Sequence, residues 1–229
     1  MNLQKIQDYI ILFKRHLKSR QKERDLYRWE SLQNFQQQWD LSTEDLTQMY
    51  DQSLQNTQTV RLWKDRQYFP KQIMLLFCDL QPDYVRFAFQ DLFNEEKAIN
   101  SRMDRFIFYC DELLNEYKNK YPLKIENNHY HHYRIISLYL TFKYPLQYSF
   151  YDFEVFQQTM KNLGSRDIPK LNDVERFFKI SRTLWKFLAK DPEVWTLHQR
   201  RLQPTKHFQA PSLLLVNEFC EMICRDNVN

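Results

Sequence analysis

Glycine is almost missing from this chain. Gly164 is the sole example in 229 residues, where average usage of roughly 7% would give about sixteen. Loops that cradle phosphate need glycine where backbone N–H groups approach the anion closely or φ turns positive. Neither G-x-x-x-x-G-K-S/T nor G-x-G-x-x-G can be written here, which excludes a P-loop and a glycine-rich dinucleotide turn. Type I′ and II′ hairpins, which favour glycine, are discouraged as well. Long apolar runs are lacking too. Runs such as Ile73 to Cys78 and Leu213 to Val216 are short, far below the roughly 18–20 residues that span a bilayer. Lys5 and Asp8 interrupt the N-terminal apolar residues and no small-residue cleavage site follows, so no signal peptide is expected. The four cysteines, Cys78, Cys110, Cys220 and Cys224, lie inside apolar helical patterns and read as reduced, buried thiols of a cytoplasmic protein.

What the chain does hold is aromatic and charged. Hydrophobic residues make up 43%, aromatics 16% and charged residues 27%, enough for a continuous core and too apolar for disorder. The net charge of +4 is uneven. Residues 1–28 carry eight Lys/Arg against three acids, so the basic charge is concentrated, which permits an anionic partner without demanding one.

Helical periodicity dominates. Leu3, Ile6, Ile10, Phe13 and Leu17 alternate steps of three and four, the stripe of an amphipathic helix. Trp29, Leu32, Phe35 and Trp39 mark a second helix, and Ser42 with Asp45 suggests the start of a third. Residues 55–68 read as an exposed loop. Pro70 and Pro82 suit the first turns of two short helices. A long helix runs from Ile99 to about Tyr117, and another lies near 132–143. Ser149 with Asp152 is expected to open a helix that ends at Gly164, placed where a left-handed cap is needed. Asn172 with Glu175 starts a helix running to about Lys190, Asp191-Pro192 opens the next, and Ser212 caps the last. Strands around Lys143–Phe150 stay open. The expectation is an all-α irregular bundle of about nine to eleven helices, a single helical recognition domain over 1–229 with a candidate lobe boundary near 121–131.

The candidate sites follow from charge. Arg176, Lys179, Arg182, Lys186 and Lys190 fall within about 120° of one another at 100° per residue. Such a stripe can neutralise several phosphates; the plain alternative is a solvated face opposite the core stripe. Lys14, Arg15, Lys18 and Lys22 lie beside the apolar stripe of the first helix, where docking onto the protein's own core competes with a ligand role. Three catalytic patterns are weaker. Asp91, Glu95 and Lys97 imitate a metal-nuclease spacing but sit near a helix end. Arg201 and His207 imitate the pair of helical HEPN-type ribonucleases, with Pro204 between them to break the helix. His129, His131, His132, His198 and His207 lack the companion cysteines of a zinc site, and His129 with Asn127 and Asn128 fits capping of the next helix. No active site, cofactor or metal is expected.

One resemblance narrows the function. Asn127-Asn128-His129-Tyr130-His131, Ile136-Ser137-Leu138-Tyr139-Leu140 and Tyr144-Pro145 with Tyr148 and Tyr151 form a recurring pattern. So do Asp173 with Arg176-Phe177-Phe178-Lys179 and Arg182-Thr183-Leu184, Leu213-Leu214-Leu215-Val216, and upstream Tyr27-Arg28-Trp29 with Phe35-Gln36 to Trp39. Together these resemble the helical N-terminal region of McrB-type AAA+ GTPases, the motors of modification-dependent restriction systems, over most of the chain. The resemblance implies a recognition domain for DNA carrying modified bases, working beside an AAA+ module that binds GTP and a separate nuclease subunit. This chain lacks the Walker motif, so GTP hydrolysis does not carry over and the chain reads as an N-terminal part or a free-standing relative. The expectation is a non-catalytic, cytoplasmic, DNA-contacting specificity module with no membrane partner. Phosphates would meet the stripe from Arg176 to Lys190, helped by Lys14, Arg15 and Lys18, and Trp63 could stack on a flipped base. A protein-assembly domain binding a partner subunit or phage protein is the alternative, and a helical ribonuclease using Arg201 and His207 a third.

Overall fold

Apolar stripes spaced by three and four residues become buried helix faces. In the first helix, α1 (Leu3–Lys18), the buried residues are Ile6, Ile10, Phe13 and Leu17, the same side of a 3.6-residue repeat. The computed structural model describes residues 1–19, 25–58, 62, 69–122 and 131–225. Among them are eleven helices and no strand, an all-α bundle. After α1 come α2 (Leu26–Gln38), α3 (Leu46–Ser53), α4 (Pro70–Leu80), α5 (Pro82–Leu92) and α6 (Ile99–Lys120). The second half holds α7 (Tyr133–Lys143), α8 (Phe153–Asn162), α9 (Val174–Leu188), α10 (Pro192–Arg201) and α11 (Leu214–Arg225).

Two helices form the centre, buried on every side over most of their length. Every residue of α7 from Ile135 to Phe142 is buried, as is every residue of α11 from Leu214 to Cys220. Helices α2 and α6 pack on α7, while α1, α8 and α9 pack on α11. Helices α2 to α6 each pack on the next, and α1 also lies against α10. Phe89 shows how aromatic content fills the core: its ring sits 5.0–6.2 Å from those of Trp39, Tyr50, Phe93, Phe106 and Tyr139. Each such side chain stabilises the fold by about 1.5–3 kcal/mol through burial. Buried residues from both sides of 123–130 belong to one hydrophobic cluster; most of the 121–131 break lies outside the described residues.

Three helix starts differ from the sequence expectation, and each has a physical reason. Asp45, not Ser42, caps α3 and accepts from Gln48 N at 2.8 Å; Ser42 instead closes a turn on Asp40. Asp152 caps α8 through Val155 N, while Ser149 is buried and donates to the Leu213 carbonyl. Asp173 caps α9 through Arg176 N, and Asn172 accepts from the Tyr151 hydroxyl. An aspartate adjoining the helix displaces the upstream residue, which finds a different partner. The open strand question at 143–150 is answered by a turn. There the Leu213 amide donates to Pro145 O at 2.7 Å and Asn217 donates to Phe150 O at 3.3 Å. The expected loop at 55–68 lies largely outside the described residues, although Leu62 is buried.

Candidate nucleic-acid interface

The candidate surface begins with how α9 is held. Its Val174, Phe177, Phe178, Ser181, Leu184 and Leu188 are buried against α6 and α11. Phe177 meets Tyr151 and Phe156 edge-on at 5.0 and 5.3 Å, and Phe178 meets Tyr148 at 4.9 Å. These contacts fix the rotation of the helix, so residues on the opposite side face solvent.

Lys179, Lys186 and Lys190 are exposed and form no ion pair with any described residue. Lys190 stands beyond the helix, which ends at Leu188, two residues short of the expected end; Ala189 N closes the last turn on Trp185 O. Arg182 donates to the Gln147 carbonyl at 2.9 Å, which orients the guanidinium without neutralising it. Arg176 is different. It pairs with Asp167 at 2.9 Å and donates to the Asp167 carbonyl at 2.7 Å. The stripe of five therefore contains four uncompensated cations.

The first helix is corrected further. Lys14 Nζ lies 3.0 Å from Asp191 and 3.1 Å from Glu193, and Lys18 Nζ lies 2.7 Å from Glu193. Hydrogen bonds donated to Asp191 and Glu193 raise the pKa of the Lys14 ammonium above its ordinary value, and Lys18 and Lys14 together lower that of Glu193. These lysines join α1 to the start of α10. Arg15 is exposed beside them and forms no ion pair with a described residue. Lys22, Trp63 and His129 lie outside the described residues.

The catalytic look-alikes are placed as structural pairs. Asp91, with a side chain 4% exposed, is held by Lys97 at 2.6 Å and Arg105 at 2.7 Å. Burial alone would raise its carboxyl, but those hydrogen bonds keep it below the usual range. Glu95 reaches Arg102 and accepts from Tyr148. Arg201 is spent on Glu218 inside the core. His207 is 2% exposed, with Nδ1 accepting from Gln203 N at 2.9 Å. His131 Nε2 lies 3.2 Å from the Tyr139 hydroxyl, which lies 2.6 Å from that of Tyr50. Among the described residues no group of three or more His, Cys, Asp or Glu could hold a metal ion. No described helix is long and apolar enough to cross a membrane. The four cysteines carry free thiols, three of them buried.

Sequence reasoning missed one surface. Phe87 and Phe108 are 49% and 56% exposed. Both fall outside the apolar stripes of their helices, the one signal that could have found them. No family model, curated protein or solved structure matches the chain.

Proposed function

We propose that this chain is a non-catalytic recognition module that contacts DNA phosphates through the outer face of α9, as the specificity part of a restriction or phage-defence assembly. The observation that carries the reading is a contrast. Lys14, Lys18, Lys71, Lys97 and Arg105 are each paired with a carboxylate. Lys179, Lys186 and Lys190 form no ion pair with a described residue although Glu175 and Asp191 are near in sequence, and Arg182 leans only on a neutral carbonyl. Cations left unpaired on a rigid, capped helix are what a polyanion requires, since each phosphate neutralised releases a counterion. The resemblance to McrB-type N-terminal regions supports a modified base as the target and an AAA+ module or nuclease subunit as the partner.

The test is fluorescence anisotropy with a labelled duplex, with and without methylated cytosine, at about 50 and about 200 mM salt. Four phosphate contacts weaken binding about a hundredfold over that range. Lys179→Glu with Lys186→Glu abolishes most of the affinity and flattens the salt dependence. Unchanged binding by that variant overturns the reading. Protein assembly is the second reading, favoured by the exposed rings of α5 and α6.

A further inference from the structure

Helices α5 and α6 meet in a ladder of side chains that is apolar in the middle and acidic at one end. From one end to the other, Gln81 donates to Glu116 at 2.8 Å, Tyr84 donates to Glu112 and Phe87 packs on Tyr109 with ring centroids 5.4 Å apart. At the far end Asp91 takes Arg105. Phe108 extends the ring cluster, 6.1 Å from Tyr109, and Tyr84 lies 6.2 Å from Phe87. Phe87 and Phe108 remain about half exposed, an unusual use of two phenylalanines on neighbouring helices unless something covers them.

The unpaired charge around these rings is acidic. Asp104 and Asp111 stand one turn from Phe108 on either side, and both are exposed. Between Phe106 and Tyr117 the helix holds Asp111, Glu112 and Glu116 and no cation; none of the three forms an ion pair with a described residue. The cations beside the rings are committed: Arg105 and Lys97 to Asp91, and Arg86 to Asp83 and to the carbonyls of Leu41, Thr43 and Glu44. Lys118 and Lys120 follow Glu116 in the last turn of α6. At the acidic end Gln81, Tyr84, Glu112, Leu113 and Glu116 line an open cavity of about 410 Å³.

We infer that the α5–α6 face is a docking site for a partner protein segment that places a Lys or Arg in the Glu112–Glu116 cavity and lays an adjacent apolar side chain across Phe87 and Phe108. Charge complementarity selects this occupant. An unpaired acidic wall attracts a cation, Tyr84 offers a ring face to it, and the half-exposed phenylalanines supply the desolvated anchor that dominates such contacts. An anionic lipid surface or nucleic acid is repelled by the same acids, which separates this face from α9. The inference goes beyond the DNA-binding reading and uses none of its residues.

The probe is a fluorescein-labelled amphipathic peptide of Lys and Leu patterned for one helix face, with a control in which Glu replaces Lys. The intact chain binds the Lys peptide, and binding weakens with salt. Phe87→Ser with Phe108→Ser, and separately Asp111→Lys with Glu116→Lys, each weaken it about tenfold or more. Lys179→Glu with Lys186→Glu leaves it unchanged. Unaltered circular dichroism and thermal midpoints show that the variants are folded. Equal binding to the Glu peptide, no binding at about 100 μM, or equal affinity in all variants overturns the inference. So does a concentration-dependent mass in sedimentation that Phe108→Ser abolishes, because the occupant is then a second copy. Cosedimentation with phosphatidylglycerol vesicles that depends on Phe87 and Phe108 overturns it as well.

Discussion

Arg201 and Glu218 form an ion pair in which each side chain is 1% exposed. The carboxylate also accepts from Trp29 Nε1 at 2.7 Å, and Arg201 reaches His198 Nδ1 at 3.0 Å, so one cluster joins α2, α10 and α11. Removing one partner strands the other charge in the core, which costs about 3–5 kcal/mol. Glu218→Ala is therefore expected to lower unfolding free energy by about that amount in urea titrations. Arg201→Met with Glu218→Leu is expected to recover most of it, because the desolvation cost of both charges disappears. A Glu218→Ala loss below about 1 kcal/mol contradicts the cluster's role.

Two buried histidines set the acid limit of the fold. Burial, with the neighbouring His132, pushes His131 down to about 3; burial and the Arg201 charge push His198 well below its ordinary value. Both folded values lie below the unfolded value of about 6.5. As pH falls the unfolded chain takes up protons first, so this stability is complete above about 6.5 and lost as pH falls below it, for His131 toward about 3. At pH 4.5 the His131 share of that loss is about 2–3 kcal/mol. His131→Gln is expected to be less stable than the parent at pH 7.5 and to close most of that gap at pH 4.5. A gap that does not change with pH rules out a neutral buried imidazole.

How far the fold was legible in sequence depended on whether a signal was local. The apolar stripe of α1 and the proline starts of α4 and α5 follow from spacing and φ alone. The serine and asparagine caps were misplaced because Ser149 and Asn172 are bound by Leu213 and Tyr151, partners distant in sequence. The pairing of Lys14 and Lys18 with acids more than 170 residues away left no periodic trace, so α1 looked more basic than it is. The α9 stripe was legible because one helix carries all of it, yet the neutralisation of Arg176 by Asp167 was not.

Gly164 tests the local signal directly. Its φ is +65°, and it closes α8 with Ser165 N bonded to Met160 O at 2.9 Å and Gly164 N to Lys161 O at 3.0 Å, the Schellman arrangement. A Cβ here would also lie 3.4 Å from Asn2 Cβ and Lys5 Cδ. Gly164→Ala is expected to destabilise by about 1–2 kcal/mol, and Gly164→Asn by less, since asparagine tolerates the left-handed region better. Thermal denaturation ranks the two, and a reversed order would mean that contact with α1 outweighs backbone strain.

The two basic helices should separate in DNA binding even though the sequence presents both as cationic. Lys14 is already matched by Asp191 and Glu193, so Lys14→Ala removes a charge that a phosphate could use only by breaking that pair. Lys186 has no such competitor. Lys186→Ala is expected to reduce the slope of log affinity against log salt by about one, whereas Lys14→Ala leaves the slope near that of the parent. Anisotropy titrations across salt measure both slopes on the same duplex. Should Lys14→Ala lower the slope as much as Lys186→Ala, the phosphate path crosses α1 and the ion pairs with α10 open on binding.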